Sequence, residues 1–294
     1  MKTTIIDGQK ISQEIKLEVA NETKSFQDSF LVTPGLAVIL VGDDPASSIY
    51  VKNKEKAAIA SGMAGQTINL PSTVSEKDLL QIIENLNLSK EIHGILVQLP
   101  LPTHISEEKI VQKIDPIKDV DGLHPFNSGL LSAGTPRFIP ATPAGIRELL
   151  LRNDSNPDGK HVAILGRSNI VGRPLANLLS MKSIGGNATV SLCHSRTTNL
   201  KKITINADIV IAAIGIPNFV TEDMVKENVV VIDVGINRVK SSMTKRGYRL
   251  VGDVEFESVK LKSKAITPVP GGVGPMTIAM LLRNTLQAAK LQCG

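Results

Sequence analysis

A tyrosine and a lysine four positions apart, Tyr50 and Lys54, are the first residues whose types and spacing suit catalysis. On a helix, this spacing puts both side chains on one face. A tyrosine ring stacks on flat heterocycles, and a lysine acts as a base near neutral pH when burial lowers its pKa. The competing interpretation is a packed tyrosine beside a solvated lysine, which the charged neighbours Lys52 and Lys56 favour.

A glycine-punctuated turn from Gly166 to Gly172 is the second such feature. The apolar run before it ends on the first glycine, and the second glycine opens what the pattern predicts to be a helix. The N–H groups at a helix start bind phosphate, and Arg167 and Ser168 add polar side chains to the turn. Because the spacing differs from the G-x-G-x-x-G motif, an ordinary tight turn is the alternative interpretation.

The next expected strand ends without a carboxylate. Dinucleotide-binding folds that use NAD usually place an Asp or Glu there, which accepts hydrogen bonds from the ribose hydroxyls. Here Ser195 and Arg196 follow the strand instead. A hydroxyl and a guanidinium suit the 2′-phosphate of NADP, although a solvated arginine at such a position is common. Together with the glycine turn, this pattern favours NADP over NAD.

Three further segments place polar groups or exposed backbone at the ends of elements. Gln98 ends an apolar strand that prolines follow, and a residue at such a strand end faces a cleft. Asp121 lies in a turn-rich segment, and ordinary turn chemistry is the alternative for both residues. Residues 268–275 hold too much proline and glycine for a sheet interior. We expect a loop that brings backbone close to a ligand, with Pro270 and Gly271 as substrate-binding candidates.

Composition limits the classes of function that the chain can have. Its 294 residues are 42% hydrophobic but only 3% aromatic, so we expect an aliphatic core and a parallel sheet buried on both faces. The net charge of +5 comes without a run of basic residues interleaved with aromatics, so no nucleic-acid partner is expected. Two cysteines and five histidines show neither disulfide nor metal-ligand spacing, so no metal is expected.

The sequence also lacks the features of export and membrane insertion. Residues 1–8 do not have the basic-then-apolar layout of a signal peptide. No apolar run approaches the ~20 residues that a membrane helix needs. We therefore expect a cytoplasmic protein that has no membrane partner.

Strand and helix patterns alternate through both halves of the chain, which predicts βαβ units and parallel sheets. The predicted strands cover residues 36–41, 67–70, 92–99, 162–166, 188–193, 209–214 and 229–234. The predicted helices cover about 10–30, a stretch capped by Ser47 or Ser48 that runs to about 62, 75–86 with Ser75 as its cap, 106–113, a stretch that starts at Thr142, and 276–294. Residues 114–140 are expected to form an irregular stretch punctuated by proline and glycine.

Taken together, these segments resemble the bifunctional methylenetetrahydrofolate dehydrogenase/cyclohydrolase family. The segments that carry the resemblance are 50–54, 97–102, 115–122, 166–174, 231–237 and 268–275. The resemblance implies a homodimer with an α/β fold of two domains and a cleft between them. A three-layer α/β folate domain would cover residues 1–140, and a Rossmann-like parallel-sheet NADP domain would cover 141–275. Helix 276–294 would pack back on the first domain.

The same resemblance assigns roles to individual residues. It implies that Lys54 is the catalytic lysine and that Tyr50 stacks on the pterin of the substrate. Gln98 would hydrogen-bond Lys54 and set its protonation state, and Asp121 would bind the pterin. The residues implied for the cofactor are Gly166, Arg167, Ser168 and Ser195 at its phosphates and the backbone at Ile236 at its nicotinamide end.

The implied function is a pair of reactions on tetrahydrofolate one-carbon derivatives. NADP-dependent oxidation converts 5,10-methylenetetrahydrofolate to 5,10-methenyltetrahydrofolate, and hydrolysis then gives 10-formyltetrahydrofolate. The alternatives are a monofunctional NAD(P)-dependent dehydrogenase without the hydrolytic step and a nucleotide-binding regulator without turnover. The presence of Lys54, Gln98 and Asp121 together favours the bifunctional enzyme. Short-chain dehydrogenases also use a Tyr-x-x-x-Lys pair, but there the pair follows the glycine-rich turn.

Overall fold

The computed structural model of the protein describes residues 3–241 and 247–294. The chain divides into two compact units. The six-strand unit consists of Met1–Ser12 and Thr142–Thr277, and the three-strand unit consists of Gln13–Ala141 and Ile278–Gly294. Within the described ranges, no helix has both the length and the apolar character that crossing a membrane requires.

Helices and strands alternate through the first half of the chain. In chain order they are β1 (Thr4–Ile5), α1 (Gly8–Phe30), β2 (Gly35–Val41), α2 (Pro45–Ala60), β3 (Ala64–Leu70), α3 (Glu76–Leu88), β4 (Gly94–Val97), α4 (Glu107–Lys113) and α5 (Pro125–Ser132). The three-strand unit holds a parallel sheet in the order β3-β2-β4. Every residue of β2 is buried, as in parallel sheets that are covered on both faces.

One face of this sheet packs against α3 and α4 in a core of aliphatic side chains. Ile39 of β2 and Ile95 of β4 are fully buried there. The helices contribute Leu79, Ile83 and Ile110, which are also fully buried. Each such side chain stabilises the fold by ~1.5–3 kcal/mol when it leaves water. The core therefore fixes the carboxyl end of β4, which the candidate site uses.

The helix starts agree with the sequence at α3 and differ from it at α2. Ser75 caps α3 as predicted, since its Oγ accepts a hydrogen bond from the N–H of Asp78 at 3.1 Å. The prediction of Ser47 or Ser48 as the cap of α2 is wrong. Asp44 caps that helix, and its Oδ2 accepts from the N–H of Ser47 at 2.8 Å. The proline that follows Asp44 takes the first helical position, where it has no N–H to satisfy.

Helix α5 lies inside residues 114–140, where the sequence predicts no helix. It begins with a proline after His124, whose Nδ1 accepts a hydrogen bond from the N–H of Phe126 at 3.0 Å. Its interior contains Gly129, which lowers intrinsic helix propensity by ~1 kcal/mol relative to alanine. The helix therefore depends on this unusual cap and on tertiary packing rather than on local sequence preference.

The second half of the chain repeats the alternation of helix and strand. Its elements are α6 (Ala141–Arg152), β5 (His161–Leu165), α7 (Gly172–Ser180), β6 (Thr189–Cys193), α8 (Leu200–Thr204), β7 (Ile209–Ala212), β8 (Val229–Asp233), β9 (Asn237–Lys240), β10 (Tyr248–Val251), α9 (Phe256–Lys262), β11 (Ser263–Ile266) and α10 (Val273–Cys293), with a 3-10 turn at Glu222–Met224. The parallel sheet of the six-strand unit has the order β1-β11-β8-β7-β5-β6. This arrangement confirms the predicted Rossmann-like fold class.

Short strands account for most of the differences from the predicted elements. β1 and β11 pair with each other, Thr4 opposite Ala265, and this pairing places the first twelve residues in the six-strand unit rather than with the rest of the first half. β9 and β10 form an antiparallel pair that the sequence pattern does not predict. Such strands are too short to show a period of two. The loop expected at residues 268–275 ends earlier, because α10 begins at Val273.

Candidate functional site

The lysine site of the three-strand unit begins on α2. Tyr50 and Lys54 lie one turn apart on this helix, and the Nζ of Lys54 is 4.9 Å from the centre of the Tyr50 ring. Lys54 is only 7% exposed, whereas Lys52 and Lys56 are exposed. The structure therefore rejects a solvated Lys54 and separates it from its charged neighbours.

Gln98 is the hydrogen-bond partner that reaches this lysine. The Lys54 Nζ donates to Gln98 Oε1 at 2.9 Å. The orientation of the amide is fixed because Gln98 Nε2 donates to the carbonyl of Leu99 at 2.8 Å. The backbone N–H of Gln98 donates to the carbonyl of Ile39 at 2.9 Å, which ties the end of β4 to β2. The strand end thus presents an amide oxygen, and not an amide N–H, to the lysine.

Asp121 brings a second charge to the lysine site. Burial lowers the pKa of Lys54, and the negative charge of Asp121 opposes this effect. Burial likewise raises the pKa of Asp121, and the positive charge of Lys54 opposes it. The two charges thus interact, but burial has the larger effect on the pKa of each group. A lysine in this setting reaches its neutral form at a lower pH than a solvated lysine.

Two buried charged residues hold the segment that leads to Asp121. Lys118 Nζ donates to the carbonyls of Leu86 at 3.0 Å and Ser89 at 2.6 Å, near the end of α3. The carboxylate of Asp119 accepts from the N–H of His124 at 2.8 Å and, also at 2.8 Å, from an amide N–H of the side chain at position 127. Both charged groups therefore serve the backbone around Asp121.

Asn284 of α10 holds the same segment from another side. Its Nδ2 donates to the carbonyl of Val120 at 2.8 Å and to the carbonyl of Ile139 at 2.9 Å. Gly122 has a φ of +70°, and a Cβ there would lie 3.1 Å from the backbone nitrogen of Pro140. One side chain thus joins the backbone that precedes Asp121 to the backbone that packs behind it.

The glycine turn of the six-strand unit is built by close backbone contacts. Gly166 follows β5 with a φ of +113°, and a Cβ there would lie 2.1 Å from the carbonyl oxygen of Ala213. At Gly172 a Cβ would lie 1.9 Å from the carbonyl oxygen of Gly166. Ser168 Oγ accepts from the N–H of Val171 at 3.1 Å. In the part of the chain that the structure describes, no side chain caps the start of α7. The N–H of Arg173 donates to the carbonyl of Ser168 at 3.1 Å, and Pro174 has no N–H, so Gly172 is the residue of this first turn whose N–H can meet an anion.

This turn lies where the strand order of the sheet reverses. β5 pairs with β6 on one side and with β7 on the other. In open parallel sheets, ligands bind at such a point, beyond the carboxyl ends of the strands. The exposed side chains of Arg167 and Ser168 lie in the turn that follows β5.

Ser195 and Arg196 lie in the neighbouring turn, after β6. The N–H of Gly166 donates to the carbonyl of Cys193 at 2.9 Å, so both turns are at the same edge of the sheet. The backbone of the second turn is closed by hydrogen bonds, among them the N–H of Arg196 to His194 Nδ1 at 3.1 Å. The side chains of Ser195 and Arg196 are both exposed. This edge can therefore offer a hydroxyl, a guanidinium and a helix start to phosphates.

The remaining predicted cofactor and substrate residues also lie in the six-strand unit. Ile236 follows β8 and is 60% exposed. Pro270 follows a cis peptide bond, and Gly271 has a φ of +108°. Tyr50, Lys54, Gln98 and Asp121 belong to the other unit. Among the described residues, no group of three or more His, Cys, Asp or Glu side chains is arranged to hold a metal ion.

The chain matches the models of two domains from one protein family. The tetrahydrofolate dehydrogenase/cyclohydrolase catalytic domain matches residues 6–121, and the NAD(P)-binding domain of the same family matches residues 140–293. The chain belongs to the tetrahydrofolate dehydrogenase/cyclohydrolase family. It is similar to the bifunctional protein FolD of Streptococcus uberis, with 53% identity over 287 residues and 98% of each chain covered.

Solved structures of this family share the fold. The bifunctional FolD enzyme from Campylobacter jejuni is 48% identical, with a TM-score of 0.91 and coverage of 98% of this chain and 99% of that one. FolD from Trypanosoma brucei, complexed with NADP and an inhibitor, is 38% identical, with a TM-score of 0.93 and coverage of 99% and 98%. The resemblance drawn from the sequence motifs is thereby confirmed. The chain is a bifunctional methylenetetrahydrofolate dehydrogenase and methenyltetrahydrofolate cyclohydrolase, and no match favours the monofunctional alternative.

Several residues of this dehydrogenase/cyclohydrolase act through the backbone and are not among the predicted site residues. Asn284 lies inside a long helix, and no local pattern connects it to Asp121. Asp233 and Asp253 are two buried carboxylates beside the turn that carries Ile236. Lys118 and Asp119 lie within a segment that carries the resemblance. Charged residues in an apolar setting indicate a structural role, and this signal could have identified both of them.

Proposed function

We propose that the lysine site binds the folate substrate and that Lys54 is the base for its hydrolysis. The observation that carries this proposal is the buried Lys54, 7% exposed, with its Nζ 2.9 Å from Gln98 Oε1. The substrates are one-carbon derivatives of tetrahydrofolate. Tyr50 stacks on the pterin, and Asp121 hydrogen-bonds its polar edge. The lysine lies beside both groups, which supports its place at the one-carbon bridge.

The oxidation step requires little acid–base catalysis from the protein. A hydride leaves the methylene bridge of 5,10-methylenetetrahydrofolate, and the lone pairs of the flanking nitrogens drive its departure. Bound NADP⁺ supplies the hydride acceptor. The protein contributes orientation of the substrate, so no strong general base is needed at this step. The product is the methenyl cation.

The hydrolysis step needs a base. Water attacks the bridging carbon of the methenyl cation, and the neutral amine of Lys54 takes a proton from that water. The bond between the bridging carbon and N5 then breaks, the proton of the new hydroxyl group passes to N5, and the formyl group stays on N10. The proton that Lys54 took from water passes to solvent, so the step consumes one water and releases one proton. Gln98 accepts a hydrogen bond from the lysine without adding a negative charge. An amide partner therefore orients Lys54 and leaves its pKa low.

The cofactor is NADP, held at the glycine turn of the six-strand unit. The residues present fit this group, because Gly166 admits no Cβ and the start of α7 has no side-chain cap among the described residues. Arg167 and Ser168 bind the diphosphate, and Ser195 with Arg196 binds the 2′-phosphate. The backbone at Ile236 contacts the nicotinamide end, and Pro270 and Gly271 contact the substrate. The NADP complex of the Trypanosoma brucei enzyme supports this choice of cofactor.

The remaining assignments concern domains, assembly and location. Residues 13–141, rather than the expected 1–140, form the folate domain together with residues 278–294, and residues 142–277 form the NADP domain together with residues 3–12. The family matches at 6–121 and 140–293 support this division. The enzyme works as a homodimer in the cytoplasm, and neither nucleic acid nor membrane is a partner.

A lysine substitution tests the catalytic part of the proposal. Lys54→Met should lower methenyl hydrolysis to the uncatalysed rate, because the amine is lost while an unbranched side chain still fills the buried site. Lys56→Met, on the exposed side of the same helix, is the matched control and should hydrolyse normally. The assay follows loss of the methenyl absorbance, and circular dichroism checks folding. Unchanged hydrolysis by folded Lys54→Met refutes the assignment.

A further inference from the structure

We propose that Asp253 is a positioning residue for NADP, because its buried carboxylate joins the two backbone segments that border the cofactor site. Asp253 is fully buried. Its Oδ2 accepts hydrogen bonds from the N–H of Ile214 at 2.7 Å and of Gly215 at 2.9 Å. Its Oδ1 accepts from Asn237 Nδ2 at 2.9 Å. This inference rests on the proposed location of NADP at the glycine turn.

The first of these segments, residues 213–215, follows β7 and borders the glycine turn. Ala213 is tied to β5, since its N–H donates to the carbonyl of Leu165 at 2.8 Å. A Cβ at Gly166 would lie only 2.1 Å from the carbonyl oxygen of Ala213, so this oxygen excludes any side chain at Gly166. A displacement of Ile214 and Gly215 therefore moves the peptide against which the turn is packed.

The second segment, residues 235–237, carries the backbone proposed for the nicotinamide end. At Gly235 a Cβ would lie 2.2 Å from Asp253 Oδ1, so the chain packs directly on the carboxylate. Asn237 is held by the same oxygen. Between these two residues, Ile236 is 60% exposed. Asp253 thus fixes both ends of this exposed position.

A second carboxylate keeps Asp253 in place. Asp233 accepts hydrogen bonds from the N–H groups of Gly235 at 3.0 Å, Asp253 at 2.9 Å and Val254 at 3.0 Å. A Cβ at Gly252 would lie 1.7 Å from Asp233 Oδ2, so only glycine permits this contact. Two buried carboxylates side by side are costly to the fold. Both serve backbone beyond the carboxyl ends of β7 and β8, the edge where ligands bind.

The test uses the full-length enzyme and its second activity as an internal control. Asp253→Asn keeps the size of the side chain but replaces one acceptor oxygen by an N–H₂ group that faces a donor. Loss of a hydrogen bond to a charged group predicts a rise of ~10–100-fold in the KM for NADP⁺. Methenyl hydrolysis, measured without cofactor, should keep its kcat and KM within about twofold, because the hydrolytic residues lie in the other unit.

Asp208→Asn is the matched control, since it makes the same change at the opposite edge of the sheet. Asp208 precedes β7 and accepts from the N–H of His161 at 2.9 Å and from Lys226 at 2.7 Å. The KM for NADP⁺ should be unchanged in this variant. If Asp253→Asn does not fold, Asn237→Ala removes one arm of the same network and should raise the KM by ~3–10-fold.

The possible results separate this inference from the proposed function. Gly166→Ala tests the glycine turn itself, and an unchanged KM for NADP⁺ in that variant overturns the cofactor location and this inference with it. If Gly166→Ala raises the KM but folded Asp253→Asn does not, only the role of Asp253 is overturned. A parallel loss of hydrolysis and NADP⁺ binding in Asp253→Asn shows general structural damage and also overturns that role. A selective rise in the KM for NADP⁺ supports it.

Discussion

Replacement of Gln98 by glutamate tests whether the neutral form of Lys54 performs the hydrolysis. Gln98→Glu preserves the length of the side chain and puts a carboxylate where the amide oxygen lies 2.9 Å from Lys54 Nζ. A negative charge at that position stabilises the ammonium form of the lysine. The pKa of Lys54, which burial holds below its usual value, should therefore rise.

The size of this rise follows from the distance between the charges. Two unit charges ~4 Å apart attract each other by ~4 kcal/mol at the effective dielectric constant of ~20 that suits protein sites. Desolvation of the new carboxylate offsets part of this energy, which leaves ~2–4 kcal/mol. At ~1.4 kcal/mol per factor of ten, the ammonium form of Lys54 gains ~30–1,000-fold over the neutral form. The neutral fraction of the lysine, and with it the hydrolysis rate near neutral pH, falls by ~30–1,000-fold.

The assay measures methenyl hydrolysis against pH, with the uncatalysed rate subtracted. Hydrolysis by Gln98→Glu should recover as the pH increases, whereas its dehydrogenase activity should fall much less. Gln98→Met is the paired variant, because it removes the hydrogen-bond acceptor without adding charge. Its pH profile should be displaced toward lower pH. Hydrolysis at the unmodified rate in Gln98→Glu near neutral pH, or displacement of both profiles in the same direction, refutes a neutral lysine base.

Three other regions carry predictions. Arg196→Ser should lower kcat/KM for NADP⁺ by ~10–100-fold and leave NAD⁺ within about twofold, and equal values for both cofactors in the unmodified enzyme would rule out 2′-phosphate selection. Asn284→Asp should raise the KM for folate ~10-fold in both reactions, because the backbone before Asp121 loses its donor. Gln292→Glu makes the same change elsewhere on α10 and should leave the KM for folate unchanged. Burial lowers the pKa of His93, and the positive charge of Lys118 lowers it further. Its stabilisation is complete above pH ~6.5 and is lost as the pH falls through the lower folded-state pKa. Urea unfolding should show this loss, and a His93→Gln variant with the same acid dependence would contradict it.

The buried strands could be predicted from sequence because their apolar runs are continuous. β2 and β5 are buried along nearly their whole length, and glycine ends β5 at the turn. Strands without a continuous apolar run could not be predicted in this way. β1 has two residues, both exposed, and its pairing with β11 depends on chain that lies far away in sequence. Helix α5 could not be predicted for a related reason. Gly129 lowers its local helix propensity, so its formation depends on tertiary packing.

The candidate site shows the same division between local and distant information. Residue types and spacing single out Tyr50 and Lys54, but the neighbouring lysines argue for a solvated face. The fold buries Lys54 and brings Gln98, from the end of β4, to the amine as a hydrogen-bond acceptor. Asn284 and Asp253 leave no local trace, since each acts on backbone that is distant in sequence. Positioning residues of this kind depend on the tertiary fold.

In the proposed site, the first reaction prepares the base for the second. Oxidation turns a neutral methylene bridge into a methenyl cation, and a positive charge close to Lys54 disfavours its ammonium form. Burial already lowers the pKa of this lysine, and its hydrogen-bond partner is a neutral amide. A carboxylate base would respond in the opposite way, because the cation would stabilise its charged form and lower its basicity. In the proposed site, formation of the methenyl cation therefore shifts Lys54 further towards its neutral form, while the hydride step, which needs no base, is unaffected by that shift.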